Sequence, residues 1–399
     1  MKSSAFFLAA AFLLGCSPSE QAAPTDPSTP AAAATASSAA INIDDPETCR
    51  ACHGPIVQEW SESMHARAHY DRDPVFAAMR DLRAIKQGPQ IVPKCRNCHT
   101  PRDTEDESTL AAKAGVSCAT CHNAAHVTPS EVAKGAALIS FDPAGTLRSA
   151  RDVRAGASPA HPTGPAAPHL ADGSSICLAC HGAVANGAGA PTCTTGSEIA
   201  GGSQAGASCT SCHMPSTDGA SGPFSARPTH ASHQFPGPHR AWYQDDVSML
   251  ASAVALDLSW EGDAVLATLS NQAAHAFPSG FPGRMATLAV VGFDESGATV
   301  WEDLPSAPSQ PGALLRKVYV DDAGKPTLPP FAKALKEDTR LTADEVRTLR
   351  WSPPAEVTRV QATLRYFLLP PPAAKAIGIQ DAPESKPVVV AQTEAKRPR

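Results

Sequence analysis

Gly115-Val-Ser-Cys118-Ala-Thr-Cys121-His122 contains the middle copy of a pattern that occurs five times in this chain. The other copies are Cys49-Arg-Ala-Cys52-His53, Cys95-Arg-Asn-Cys98-His99, Cys177-Leu-Ala-Cys180-His181 and Cys209-Thr-Ser-Cys212-His213. Composition alone predicts on the order of 0.01 such motifs by chance. Two thiols three positions apart lie on one side of a helical turn and can add to the two vinyl groups of one haem. The next residue, His, then sits under the iron as proximal ligand. The cofactor expectation is therefore five c-type haems. Their thioether positions are Cys49, Cys52, Cys95, Cys98, Cys118, Cys121, Cys177, Cys180, Cys209 and Cys212. Their proximal ligands are His53, His99, His122, His181 and His213. Zinc sites also use Cys-x-x-Cys, but they do not require His directly after each second Cys. A thioredoxin-like motif would need a βαβ pattern, and none surrounds any copy.

The remaining composition agrees. The 399 residues carry 38 Pro but only 12 Phe, 5 Trp and 4 Tyr, so apolar material for a conventional core is short. Haem rings, flat and apolar on both faces, would fill that space. The formal charge of −6 gives no sign of a nucleic-acid partner, and haem propionates would make it more negative. Twelve cysteines in an exported chain would ordinarily suggest disulfides, but the motifs absorb ten and leave Cys16 and Cys193. The sequence does not decide the role of Cys193.

The first 15 residues read as a signal peptide. Lys2 precedes an apolar run from Ala5 to Leu14, too short to span a bilayer. The run ends in Leu13-Leu14-Gly15-Cys16, which resembles a bacterial lipobox and makes Cys16 the lipidation site. Residues 16–45 form an Ala/Pro/Ser/Thr tether. The expected location is exported, lipid-anchored at the periplasmic or outer face of a bacterial membrane, with redox partner proteins. A homo-oligomer is left open.

Nine histidines remain after the proximal five: His65, His69, His126, His161, His169, His230, His233, His239 and His275. Five bis-histidine haems need five of them, and methionine alternatives are scarce. His65 and His69, four apart, would share a face if they lay on a helix. His69 reads as a surface or supporting residue, and His161 and His169 as solvated loop histidines.

From Cys49 to His239 the sequence resembles the multihaem cytochromes c related to hydroxylamine oxidoreductase and the tetrahaem cytochrome of nitrification. The resemblance rests on Trp60-Ser-Glu-Ser-Met-His65, Cys98-His99-Thr-Pro101, the Gly115-Val segment with His126, Cys212-His213-Met-Pro215 and His233-Gln-Phe-Pro-Gly237. It implies His65 and His126 as distal ligands, and His233, with His230 and His239 as neighbours that could substitute. Asn271-Gln-Ala-Ala-His275-Ala-Phe-Pro-Ser-Gly280 resembles an element of multihaem cytochromes with an appended β domain, whose His reaches back to a haem. That adds His275, although Ala274 and Ser279 replace the usual Gly and Thr. The metal-ligand expectation beyond the proximal set is thus His65, His126, His233, His239 and His275.

The fold expectation is an α+β multidomain chain. Residues 46–242 would form a haem-packed domain of short helices and loops, 243–372 an antiparallel β-sandwich, and 373–399 a tail, disordered after Gln380 apart from Val388–Val390. Asp73 followed by Pro74 predicts a helix start. Val254 to Trp260 and Val265 to Leu269 read as a hairpin about Gly262. Met285–Phe293 and 360–368 read as further strands, and 156–173 and 182–208 as surface excursions. The leading function is electron transfer. An oxidoreductase acting on a small nitrogen or sulfur compound at one open haem is the alternative, and a subunit of an extracellular cytochrome assembly is a third reading. No catalytic residue is named.

Overall fold

The structure is a computed structural model that describes residues 41–130, 134–153 and 158–398. The segment read as a signal peptide and most of that read as a tether, with Cys16, lie outside the described residues. Ala39–Arg399 form one compact unit. Among the described residues no helix is long and apolar enough to cross a membrane.

Four cysteine motifs lie within helices Val92–His99, Cys118–His122, Ser175–His181 and Cys209–His213, and the first spans the junction between the 3-10 turn Pro46–Cys49 and helix Arg50–Ser61. The predicted helix runs Pro74–Gln87, and the Asp73 side chain caps it by accepting the Phe76 backbone N–H at 3.0 Å. Two short antiparallel ladders punctuate the loops, β1 (Ala124–Val127) with β2 (Ile139–Phe141) and β3 (Ser216–Asp218) with β4 (Thr229–Ala231). Few large side chains are buried in this half. Its clusters are small, such as Ala124, Leu138, Ile139 and Ala179.

The second half is built differently. Its strands are β5 (Val254–Glu261), β6 (Ala264–Asn271), β7 (Met285–Phe293), β8 (Thr299–Asp303), β9 (Leu314–Val320), β10 (Ala334–Asp338), β11 (Val346–Trp351), β12 (Arg359–Phe367) and β13 (Val388–Lys396). One sheet has the order β11-β6-β5. The other runs β10-β9-β7-β12-β13, with β8 also on β7. Every ladder is antiparallel. Inward residues of both sheets share one core, including Val265 and Leu269 from β6, Leu288 and Val290 from β7, Trp351 from β11 and Leu364 from β12. Burying each such side chain contributes about 1.5–3 kcal/mol. The mixed α+β class expected from the sequence is observed.

Two expectations need correction. The segment after Gln380 is not a disordered tail. Strand β13 pairs with β12 from Arg359↔Lys396 to Tyr366↔Val388 and covers an edge that would otherwise expose unpaired backbone groups. Residues 182–208 are not a solvent excursion either. Asn186 donates to the carbonyls of Pro329 and Ala332, the Tyr319 hydroxyl donates to Pro191 O, and Arg340 pairs with Glu198 at 2.8 Å. This segment straps the motif-bearing half to the second sheet.

Candidate functional site

The small apolar clusters of the first half surround a cavity of about 2930 Å³. All ten motif cysteines and all five motif histidines line it, together with His65, His161, His230, His233, His239 and His275. The cysteines are unbridged. Different motifs come near one another inside the cavity, where Cys49 and Cys118, Cys98 and Cys180, and Cys177 and Cys209 perturb each other's thiols.

Four of the five motif histidines are oriented by the backbone. Nδ1 of His53 is 2.5 Å from Ser221 O, that of His99 2.9 Å from Ala68 O, that of His122 2.7 Å from Arg148 O, and that of His213 2.8 Å from Pro236 O. Such a bond places the ring proton on Nδ1 and leaves Nε2 with a free lone pair, the arrangement a metal-ligating histidine needs. His233 and His275 are held the same way, by Ala231 O at 2.8 Å and Ala276 O at 3.0 Å. Burial keeps the rings of His65, His99, His122, His181, His233 and His275 neutral. It pushes His65 down to about 3, with His181, His233 and His213 adding to the effect, and His99 and His233 to about 4. His122, His181 and His275 are lowered too, burial again being the largest cause.

Three histidine pairs face each other across the cavity. Ring centroids are 6.2 Å apart for His65 and His181, 6.2 Å for His122 and His233, and 6.5 Å for His213 and His275. An iron between two imidazoles requires two metal–nitrogen bonds of about 2.0 Å. Adding roughly 1.1 Å from each Nε2 to its ring centre gives about 6.2 Å. Thiols, neutral imidazoles and pair spacing together fit c-type haem.

His65 lies in a turn beyond the helix that ends at Ser61, and its backbone is fixed by a distant segment. Its backbone carbonyl accepts the Val116 N–H at 3.0 Å, and Trp60 Nε1 donates to Val116 O at 2.9 Å. Gly115 has φ +67°, and a Cβ there would lie 2.6 Å from His65 O. The Gly-Val pair before the third motif therefore positions a histidine that faces the fourth.

His126 was expected as a distal ligand, but the structure places it elsewhere. It is exposed on β1 and lines a separate 180 Å³ pocket with His169 and Asp172. Its ladder with β2 turns it away from the cavity that holds the motifs. His239 lines the cavity, but its Nε2 accepts from Arg284 Nη2 at 3.1 Å. His230 is engaged at both nitrogens, with Gly219 O at 2.7 Å and Glu59 at 3.1 Å. His69 is not at the surface but fully buried, bonded to Glu107 O and the Asp71 N–H, and lies off any helix. His169 is buried rather than solvated. His161, read from sequence as a bland loop residue, lines the cavity. The Pro/Gly/Ala composition of its loop carried no signal for that.

These features define a multihaem cytochrome c of the electron-transfer class. Comparison with known proteins agrees. The family described as cytochrome c554 and c-prime matches residues 48–123, the stretch holding the first three motifs. Among solved structures the chain is similar to a penta-heme cytochrome c552 from Thermochromatium tepidum. The TM-score is 0.74 and the identity 25%, covering 88% of this chain and 98% of that one. No curated protein matches the chain significantly.

Proposed function

We propose that this chain carries five covalently attached haems and moves electrons between partner proteins at a bacterial membrane surface, tethered by a lipid on Cys16. The observation that carries the reading is the spacing of the three opposed histidine pairs, 6.2–6.5 Å between ring centres. On this reading His181 with His65, His122 with His233, and His213 with His275 would each hold one haem iron. Bound haem supplies one-electron redox chemistry, and the chain's residues set ligation, orientation and dryness. Two imidazoles holding each such iron would favour low potentials relative to His/Met ligation. The proximity of the motifs supports a relay. The first motif is electrostatically linked to the third, the second to the fourth, and the fourth to the fifth, while Cys121 acts on Cys177 and Cys180. The fourth motif, ending in His181, is thus the neighbour of three others. Haem quantitation with low-temperature EPR of the ferric protein tests the count and the ligation together.

A second reading is favoured by one specific observation. Among the described residues, the opposed pairs take in His181, His122 and His213 but neither His53 nor His99, whose ring stacks on Phe76. An iron held by either would keep a coordination position open, although His161 and His239 line the same cavity. An oxidoreductase acting on a small nitrogen or sulfur compound would use such an iron. Turnover of nitrite or hydroxylamine with a matching high-spin signal would favour it over the carrier.

A further inference from the structure

A set of titratable groups gathers in and beside the cavity near His99 and has no place in haem attachment. Asp73 caps the helix whose Phe76 lies flat on the His99 ring, with centroids 3.5 Å apart and planes at 7°. Asp73 lines the cavity together with His239, Tyr243 and Arg284, and burial raises the pKa of its carboxyl, with Glu384 nearby adding to the effect and Arg284 opposing it. Glu384 reaches in from the C-terminal segment just before β13 and is only 3% exposed. One of its oxygens accepts the Tyr243 hydroxyl at 2.6 Å, and the other, Oε2, is buried without a partner. The Arg67 guanidinium covers the Tyr243 ring at 4.1 Å. His239 stacks parallel to that ring at 6.2 Å, takes the Arg284 hydrogen bond on Nε2 and leaves Nδ1 buried and unpartnered. A carboxylate in a dry site whose oxygen lacks a donor is held at a cost that protonation removes.

We infer that Asp73 and Glu384 form a proton-uptake site that answers reduction at the centre ligated by His99, an inference that rests on the haem reading above. Two cations, Arg67 and Arg284, offset the two carboxylates, while Tyr243 and His239 stay neutral. An added negative charge beside this balanced group favours the protonated carboxyl. One electron from a one-electron donor is matched by one proton drawn from water onto a carboxylate of the pair. No other bond is made or broken, and oxidation returns both.

The test is spectroelectrochemistry of the haem-loaded full chain from roughly pH 6 to 9, with visible and infrared detection, after haem content has been measured. The expected wild-type result is one haem component whose midpoint falls as pH rises, with a slope near one proton per electron. A protonated-carboxyl band should appear in the reduced-minus-oxidised infrared spectrum. Asp73→Asn keeps a side-chain oxygen for the helix cap, and Glu384→Gln keeps an acceptor for Tyr243. Each single variant should weaken both signals and the double variant should abolish them. Asp81→Asn, exposed on the same helix, should leave them intact. A wild type with pH-independent potentials and no such band, or a double variant that retains both, would overturn the inference. Missing covalent haem at the outset would instead overturn the haem reading.

Discussion

The imidazoles of His65 and His181 face each other with ring centres 6.2 Å apart, although 116 positions separate them in sequence. His181 comes from the fourth motif. His65 follows the first, and its backbone is held by the segment preceding the third. Three motifs are thus tied to one opposed histidine pair.

Removal of a facing histidine should open one iron. His65→Ala, His233→Ala and His275→Ala are each expected to convert about one haem from low to high spin. His126→Ala and His69→Ala should leave the spin state alone, because neither lines the cavity. EPR integration of the ferric variants checks this.

Gly115→Ala should damage the same site through the backbone. The new methyl would meet His65 O at a φ that only glycine adopts freely. A loss of about 1–3 kcal/mol is expected. Chemical denaturation followed by the Soret band measures it, and Gly187→Ala, with open space around its Cβ position, serves as the control.

Acid should loosen the fold through the buried histidines. His65 is pushed down to about 3, and His99 and His233 to about 4, against an ordinary imidazole value near 6.5. The folded state therefore binds fewer protons than the unfolded chain between these values. Stability is full above about pH 6.5 and falls as pH drops toward 4. Denaturant midpoints at stepped pH check the direction.

Asp303→Ala should destabilise the β half. Asp303 is 7% exposed and accepts from Trp351 Nε1 at 2.5 Å and from the Ser309 backbone at 2.8 Å. Loss of both bonds leaves buried donors unpaired at a cost of about 1–3 kcal/mol. A lowered thermal midpoint is the expected result.

The strongest sequence signals were the local ones. The Cys-x-x-Cys-His repeats, the Asp73-Pro74 helix start and the Val254–Leu269 hairpin each depend on neighbours a few positions apart, and each appears in the structure where expected. The failures involve long-range partners. Val388–Lys396 has a strand pattern whose pairing with β12 depends on an edge formed elsewhere. Residues 182–208 look like linker because their hydrogen bonds are made by small and polar residues to another part of the chain. His126 follows its motif closely and His161 sits in a featureless loop, so nothing local indicated that the ladder turns one outward while the cavity includes the other.

Cys16→Ser should move the protein from the membrane fraction to the soluble one, if the lipobox reading of Leu13-Leu14-Gly15-Cys16 is right. Retention of the variant in washed membranes would remove the tether.

The most direct measurement is haem quantitation of the purified chain together with low-temperature EPR of its ferric form. The account predicts five covalent haems per chain, at least three of them low-spin with two imidazoles. Fewer than five covalent haems, or high-spin iron at the positions served by His65, His233 and His275, would contradict it.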